Sequence, residues 1–249
     1  MLKTLKLAAL CALFATPLAA FDMSAMTDAE RQTFRAEIRA YLLENPEVLL
    51  EAIGVLEARE AEQQAQGDLQ LVTDNAEAIF NDGFSYVGGN PEGDITIVEF
   101  LDYRCGYCKR AHPEVKELIS GDGNIRYIVK EFPILGEQSV LASRFALGVK
   151  EVQGDDAYLD INDTLMTLRG EITEDSLSNL SESKGFDTPA VFEAMNGPKV
   201  QEAIIRTREL AQKLQINGTP SFVFETELLR GYAPLDTMRQ VVEELRAEG

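Results

Sequence analysis

Cations and cysteines are scarce in this sequence of 249 residues, and no internal repeat is visible. The 23 lysines and arginines stand against 42 aspartates and glutamates, giving a formal net charge of −19. Such an acidic chain is a poor partner for nucleic acid or for an anionic membrane surface. The hydrophobic share of 45% is nevertheless enough for a folded core, so a largely disordered chain is not expected.

The sequence also lacks an apolar run near its N-terminus that is long enough to cross a membrane, because this run covers only residues 7–14. Two lysines precede the run and small residues end it at Ala20, a pattern typical of a cleaved signal peptide. We predict that residues 1–20 are removed and that the protein is exported to the periplasm. The alternatives are a membrane anchor, which the short run disfavours, and a lipoprotein signal through Cys11, which the preceding Leu10 disfavours.

Removal of Cys11 would leave two cysteines, Cys105 and Cys108, spaced C-x-x-C. A disulfide between them closes too small a loop to be an effective structural staple. A structural zinc site needs four ligands, and the remaining chain has two cysteines and one histidine, so no metal site is predicted. Two thiolates are still sufficient for Cu(I), and copper therefore remains an alternative.

Residues 21–75 are predicted to form a helical N-terminal segment. Apolar residues recur at helical spacing after Thr27, which forms a capping-box pattern with Glu30, and a second helix begins at Asn45-Pro46. Residues 57–66 continue this helix as an exposed linker with almost no apolar face. Because the segment has one apolar stripe and no core, it must pack on the rest of the chain or on a second copy, and both alternatives stay open.

The pattern changes within residues 76–249, where short apolar strands are separated by glycine-rich turns. Strands are predicted at 84–87, 95–101, 125–130, 221–225 and 228–230, with a final helix at 235–246. The stretch at about 138–214 contains helical patterns and no convincing strand. We therefore predict an α/β fold, with this stretch as a helical insertion in one sheet domain.

Cys105 and Cys108 directly follow an apolar strand and directly precede a helix. The first thiol is therefore expected at a helix N-terminus, where unpaired backbone N–H groups and the helix dipole stabilise a thiolate. Cys105 is the predicted nucleophile. Cys108, one turn further along the helix, is positioned to attack a mixed disulfide on Cys105 and to release the substrate.

Residues 99–113, EFLDYRCGYCKRAHP, resemble the active-site segment of DsbA-family thioredoxin-fold proteins. The resemblance implies a thioredoxin fold whose redox-active Cys105–Cys108 pair needs no separate cofactor. It also implies that Glu99 is a buried acid beneath the dithiol, acting as a proton relay, and that Pro113 kinks the active-site helix. The alternative for Glu99 is an exposed carboxylate on a strand, since glutamate is seldom buried.

Gly218-Thr219-Pro220-Ser221-Phe222 precedes a strand and resembles the cis-proline loop of the same family. The resemblance implies that Pro220 faces the dithiol and that the backbone of Thr219 pairs with an extended substrate segment. An ordinary turn proline is the alternative.

Two further residues near these motifs can be assigned only by their position. Lys130 ends a predicted strand and is a candidate partner for Glu99, although a lysine at a strand end usually points to solvent. His112 is the single histidine of the chain, and we expect it to be solvated rather than catalytic.

Residues 41–53, YLLENPEVLLEAI, resemble the N-terminal region of ScsC-type suppressor-of-copper-sensitivity proteins. The resemblance implies a homo-oligomer formed through the N-terminal helices, and disulfide isomerase activity. The Gly-Tyr dipeptide between the cysteines is similar to that of the periplasmic isomerase DsbC and differs from the Pro-His of strong oxidases.

Three functions remain open at this point. The first is a disulfide isomerase or reductase that acts on cysteine-containing exported proteins and is served by a membrane redox partner. The second is a monomeric dithiol oxidase. The third is a non-enzymatic protein that sequesters copper or holds unfolded chains through the same cysteines.

Overall fold

The computed structural model describes residues 25–248, and the predicted signal peptide at residues 1–20 lies outside this range. The described residues form ten helices and five strands: α1 (Asp28–Glu44), α2 (Glu47–Asp74), α3 (Ala76–Phe80), β1 (Tyr86–Gly89), β2 (Ile95–Leu101), α4 (Gly106–Asp122), β3 (Ile125–Glu131), α5 (Glu137–Gln153), α6 (Asp155–Thr167), α7 (Glu174–Ser183), α8 (Thr188–Met195), α9 (Pro198–Lys213), β4 (Ser221–Phe224), β5 (Glu227–Arg230) and α10 (Leu235–Glu248). No helix within this range is both long and apolar enough to cross a membrane.

The five strands form one mixed sheet in the order β1-β3-β2-β4-β5. Strands β2 and β3 are parallel, and every other neighbouring pair is antiparallel. Strand β2 lies in the middle and is buried along nearly its whole length, as expected for a strand covered on both faces. The register places Phe100, near the end of β2, opposite Ser221, at the start of β4. The loop before β4 therefore meets the segment that follows β2.

Helices α5–α9 form the insertion between β3 and β4. They lie within residues 137–213, close to the predicted range of about 138–214, and no strand lies among them. They pack closely on one another, and Gly148 of α5 marks a point of tight approach. A Cβ atom at this position would lie 2.9 Å from the Cβ atom of Met195 and 2.9 Å from the backbone oxygen of Val191. Only glycine allows α5 and α8 to pack this closely.

The internal contacts divide the chain into two units after Arg59. The first unit contains α1 and the beginning of α2, and the predicted capping box is present: Thr27 Oγ1 accepts a hydrogen bond from the Glu30 amide, and the Thr27 amide donates to Glu30 Oε2 at 2.8 Å. No residue of α1 is buried. The large apolar side chains that stay exposed in this unit are Phe34, Ile38, Tyr41, Leu43, Leu49, Leu50, Ile53, Val55 and Leu56.

The second unit starts earlier than residue 76, because the last turns of α2 pack on the sheet. Val72 is buried in a cluster with residues of β2, β3 and β4. The guanidinium group of Arg230 binds both carboxylate oxygens of Asp68, at 2.7 and 2.8 Å. The exposed linker is therefore only the middle of α2: the helix begins in the first unit, and its last turns belong to the second unit with the sheet.

We predict that Gly148→Ala lowers the free energy of unfolding by about 1–3 kcal/mol, because the added methyl group has no space between α5 and α8. Gly67→Ala in α2 is the matched control, since nothing lies within 4 Å of its ideal Cβ position. Alanine is the better helix former, so this control should be stabilised by up to about 1 kcal/mol. Urea unfolding followed by circular dichroism measures both. Equal stability of the two variants would contradict the tight contact.

Candidate active site

Cys105 is the N-cap residue of α4, as predicted, and its sulfur lies 3.1 Å from the carbonyl oxygen of Thr219. The pKa of Cys105 is lowered to about 5. The largest cause is a hydrogen bond from the thiol of Cys108, and burial opposes it. The side chain of Thr219 and the backbone amides of Tyr107 and Cys108 lower the pKa further. A thiol with this pKa is almost wholly thiolate at neutral pH.

Cys108 lies within the first turn of α4 and is fully buried. Its pKa is raised far above the ordinary value, first by burial, then by its hydrogen bond to Cys105 and by the nearby charge of Glu99. Both cysteines are free thiols in the structure. The arrangement thus pairs one thiolate at the helix terminus with one protonated thiol beneath it.

Glu99 of β2 is only 1% exposed, so the exposed-carboxylate alternative is wrong. Its oxygen Oε2 accepts a hydrogen bond from the hydroxyl group of Tyr127. Burial raises the pKa of Glu99 to about 7, the hydrogen bond from Tyr127 opposes this, and the charges of Cys105 and Glu131 raise it further. At neutral pH this carboxyl group can therefore both accept and release a proton.

The predicted pairing of Lys130 with Glu99 is wrong. In the parallel β2–β3 register Glu99 lies opposite Val129, so the side chain of Lys130 emerges on the other face of the sheet. There its Nζ atom donates to the backbone oxygen of Ala78 at 3.0 Å and pairs with the carboxylate of Asp82 at 2.5 Å. Lys130 is also fully buried, contrary to the usual behaviour of a lysine at a strand end.

The expectation that His112 is solvated is also wrong. The residue is 9% exposed, and its Nε2 atom lies 2.8 Å from Oδ1 of Asp163 in α6. Burial lowers the pKa of His112, against the opposing charge of Asp163. Its contacts therefore join α4 to the helical insertion.

The loop before β4 has the geometry expected of the cis-proline loop. The Thr219–Pro220 peptide bond is cis, and Pro220 is buried. The carbonyl oxygen of Pro220 accepts a hydrogen bond from the amide of Gly231 at 3.0 Å, which ties the loop to the end of β5. Thr219 and Cys105 are 114 positions apart in the sequence and in contact in the fold.

Asp102 was not predicted as a site residue, yet it fixes the backbone before the dithiol. Its oxygen Oδ2 accepts hydrogen bonds from the amides of Ile134 and Leu135, at 2.8 and 3.0 Å. Its oxygen Oδ1 accepts from the amide of Arg104 at 2.7 Å and from the hydroxyl group of Ser139 at 2.8 Å. A carboxylate between a buried strand and C-x-x-C was the available sequence signal, but all of its partners except Arg104 lie more than 30 residues away.

Glu131 at the end of β3 was also missed. It accepts hydrogen bonds from the hydroxyl groups of Tyr103 and Tyr158, each at 2.6 Å. Burial raises the pKa of Glu131 to about 7, against the opposing hydrogen bonds from the two tyrosines. Glu131 therefore connects Tyr103, two positions before Cys105, to α6 of the insertion.

Comparison with known proteins agrees with this geometry. The family model described as Thioredoxin matches residues 82–244, which is more than half of the chain. The chain belongs to this thioredoxin family. A second family model, described as Copper resistance protein ScsC N-terminal domain, matches residues 30–63. The two matches confirm the thioredoxin fold and the ScsC-like N-terminal region that the sequence predicted.

Three solved structures are similar over most of their length. A thioredoxin-like oxidoreductase from Silicibacter pomeroyi is 40% identical, with a TM-score of 0.65, over 69% of this chain and 97% of that chain. ScsC of Proteus mirabilis in a transitional conformation is 29% identical, with a TM-score of 0.65, over 91% and 99%. A periplasmic thioredoxin-like protein from Salmonella enterica serovar Typhimurium is 31% identical, with a TM-score of 0.60, over 68% and 94%.

Among curated relatives, the sodium/proton antiporter NhaA 1 of Salinispora arenicola is 28% identical over 138 residues. These residues are 55% of this chain, and the chain spans only about a fifth (21%) of the length of that antiporter. The similarity therefore concerns one segment of a larger protein.

We predict that the rate of Cys105 alkylation by iodoacetamide rises with pH around a midpoint of about 5, because only the thiolate reacts. Cys108→Ala removes the largest cause of the lowered pKa and should move the midpoint to higher pH. Cys105→Ser is the control in residues 21–249, which lack Cys11, and should leave almost no alkylation, since Cys108 is buried. A midpoint near the ordinary cysteine value of about 8.5 would contradict the site geometry.

We predict that Glu99→Gln stabilises the protein more at pH 8 than at pH 4. The folded-state pKa of Glu99 is raised from 4.5 to about 7, so its favourable contribution is complete below pH 4.5 and lost as the pH rises through 7. Glutamine stays neutral, and the gain relative to the parent should grow by roughly 3 kcal/mol across this window. Urea unfolding of the reduced proteins measures it, with exposed Glu243→Gln as control. A gain that is independent of pH would refute the raised pKa.

Proposed function

We propose that the protein is a periplasmic thiol-disulfide oxidoreductase that acts mainly as a disulfide isomerase or reductase of exported proteins. The observation that carries this proposal is the asymmetry of the two thiols: Cys105 has a pKa of about 5, and the buried Cys108 stays protonated. Similarity to a thioredoxin-like oxidoreductase and to a periplasmic thioredoxin-like protein supports the activity and the compartment.

In the first step the thiolate of Cys105 attacks one sulfur of a substrate disulfide. A bond forms between Cys105 and that sulfur, and the second substrate sulfur leaves as a thiolate. The amide of Thr219 and the cis bond to Pro220 are proposed to hold the extended substrate segment against Cys105. Isomerisation is complete when another substrate thiolate attacks the mixed disulfide and releases Cys105 as a thiolate, with no net transfer of electrons.

In the reductase branch Cys108 loses its proton, attacks the sulfur of Cys105 and expels the substrate sulfur as a thiolate. Glu99 is the proposed acceptor of this proton, because its buried carboxyl group has a pKa of about 7 and its charge acts on Cys108. Two electrons pass from the dithiol to the substrate. A membrane redox partner must then reduce the Cys105–Cys108 disulfide.

The N-terminal unit supports the isomerase branch. Among residues 25–59 no side chain is buried, and apolar side chains such as Leu50 and Ile53 are exposed. Residues 30–63 match the ScsC N-terminal domain. We propose that copies of the chain associate through this surface. Several dithiols facing one misfolded substrate would raise the effective concentration of thiolate there.

A dithiol oxidase is the second candidate, and the low pKa of Cys105 favours it. A stabilised thiolate stabilises the reduced form, which makes the disulfide form more oxidising. The value of about 5 lies between those of thioredoxin, about 7, and DsbA, about 3.5. Binding of Cu(I) by the two thiols without disulfide exchange is the third outcome to be tested.

The deciding measurement is refolding of scrambled ribonuclease by residues 21–249, with molar mass from light scattering on the same samples. We expect an oligomer whose activity is lost in Cys105→Ser. Leu50→Glu combined with Ile53→Glu should give a monomer that has lost most isomerase activity and still oxidises reduced substrate.

The matched control is Gln63→Glu with Gln66→Glu, which adds the same charge at exposed polar positions of α2. A parent protein that is monomeric and only oxidises reduced ribonuclease would favour the oxidase. Cu(I) binding with no exchange of any disulfide would refute both enzymatic functions.

A further inference from the structure

Three cations lie beside the dithiol in a chain whose acids outnumber its bases by 42 to 23. Arg104 directly precedes Cys105 and is exposed, and Lys109 and Arg110 directly follow Cys108. Within residues 25–248 none of the three forms an ion pair with a carboxylate. None of these three charges is therefore neutralised by direct pairing with a carboxylate.

Backbone carbonyl groups, rather than acids, hold two of these cations in place. Arg104 donates to the oxygen of Gly170 at 3.0 Å, and Lys109 donates to the oxygen of Leu168 at 2.6 Å. The pKa of Lys109 is lowered, first by burial and then by the charge of Arg104, so the two cations lie close enough to repel each other. Carbonyl contacts fix both side chains without neutralising them.

Arg110 is held by an aromatic ring. Its guanidinium carbon lies 4.4 Å from the centroid of the Tyr232 ring, and that ring lies 6.2 Å from the ring of Tyr107, which is 61% exposed. Glu114 lies four positions after Arg110 on α4, and its two oxygens accept hydrogen bonds from the Tyr232 hydroxyl group and the Leu235 amide, at 2.6 and 2.8 Å. This acid is therefore engaged within the fold.

The cationic face is the surface formed by Arg104, Tyr107, Lys109, Arg110 and Tyr232. We propose that the cationic face selects protein segments in which the reacting cysteine is flanked by aspartate or glutamate. The inference rests on the thiol-disulfide exchange proposed above and names the substrate class of the same site. It makes Arg104 and Arg110 specificity-determining residues.

The residues that flank a substrate cysteine can reach the cationic face. An extended segment advances about 3.3–3.6 Å per residue, so in a mixed disulfide with Cys105 the residues next to the substrate cysteine lie over the cationic face. Arginine and lysine form charge-assisted hydrogen bonds with carboxylates there. The acidic surface elsewhere repels such segments, and the cationic face attracts them.

The opposite preference would hold without the cationic face. A thiolate on a chain of net charge −19 attracts basic segments and repels acidic ones. The two alternatives therefore predict opposite preferences between acidic and basic segments, so a comparison of acidic and basic peptides is decisive.

The test uses three peptides that differ only in the residues flanking one cysteine: glutamate, glutamine or lysine. Each carries a mixed disulfide with neutral 2-thiopyridine, and reduced residues 21–249 are mixed with it in a stopped-flow instrument. Attack on the peptide sulfur releases 2-thiopyridone, whose absorbance gives the rate. The same peptides with neutral 2-mercaptoethanol give the intrinsic reactivity by which each rate is divided.

We expect the glutamate peptide to react at least about tenfold faster than the lysine peptide at low ionic strength. The ratio should fall towards one near 1 M salt, where the screening length is about 3 Å. In Arg104→Gln combined with Arg110→Gln the ratio should fall to about one or reverse. A ratio is compared because a changed pKa of Cys105 would alter all three rates alike.

The control variant is Lys184→Gln with Lys199→Gln, which removes the same charge from two cations already paired with carboxylates in the insertion. Its glutamate-to-lysine ratio should equal that of the parent. A parent that prefers the lysine peptide, or a ratio that survives in the arginine variant, overturns the inference and leaves the exchange chemistry intact. If no peptide reacts, the proposed function itself fails.

Discussion

Strand β4 pairs antiparallel with β2, and this pairing places Ser221 opposite Phe100 at the end of β2 where the chain continues to the dithiol. The contact between Thr219 and Cys105 follows directly, because each residue lies a short distance beyond one of these paired positions. The helical insertion can therefore occupy all the sequence between β3 and β4 without disturbing the site. Helix α6 of the insertion instead contacts residues next to the site. Tyr158 donates a hydrogen bond to Glu131 of β3, and Asp163 contacts His112 of α4.

The buried acids near the dithiol work against stability. Glu99 and Glu131 lie on the two parallel central strands, and burial raises the pKa of both to about 7. Each carboxyl group costs free energy whenever it is ionised, and tyrosine hydroxyl groups offset part of this cost. Because the pKa of Glu99 is about 7, this carboxyl group suits the proposed transfer of a proton from Cys108.

Features that depend on neighbouring residues in the sequence could be predicted from it. Hydrophobic periodicity predicted the strands and the extent of the helical insertion, and the strand-to-helix junction predicted Cys105 at the start of α4. Contacts across elements were not predictable in this way. The partner of Lys130 depends on strand register, and the burial of His112 depends on how α6 packs against α4. Asp102 and Glu131 were missed because their partners come from distant segments of the chain.

The pKa of Cys105 has opposite effects on its attack on a substrate disulfide and on its release from the mixed disulfide. A lower pKa makes the sulfur a better leaving group, but it also weakens the thiolate as a nucleophile. A value of about 5 therefore favours release of substrate over accumulation of the mixed disulfide, which suits repeated trials on a misfolded chain. Positive charge at Arg104 and Arg110 acts on a different step, because it influences which cysteine segment arrives. The number of dithiols that meet one substrate would depend on the proposed association of chains. Choice of substrate, reactivity of Cys105 and number of dithiols per assembly would then depend on different residues.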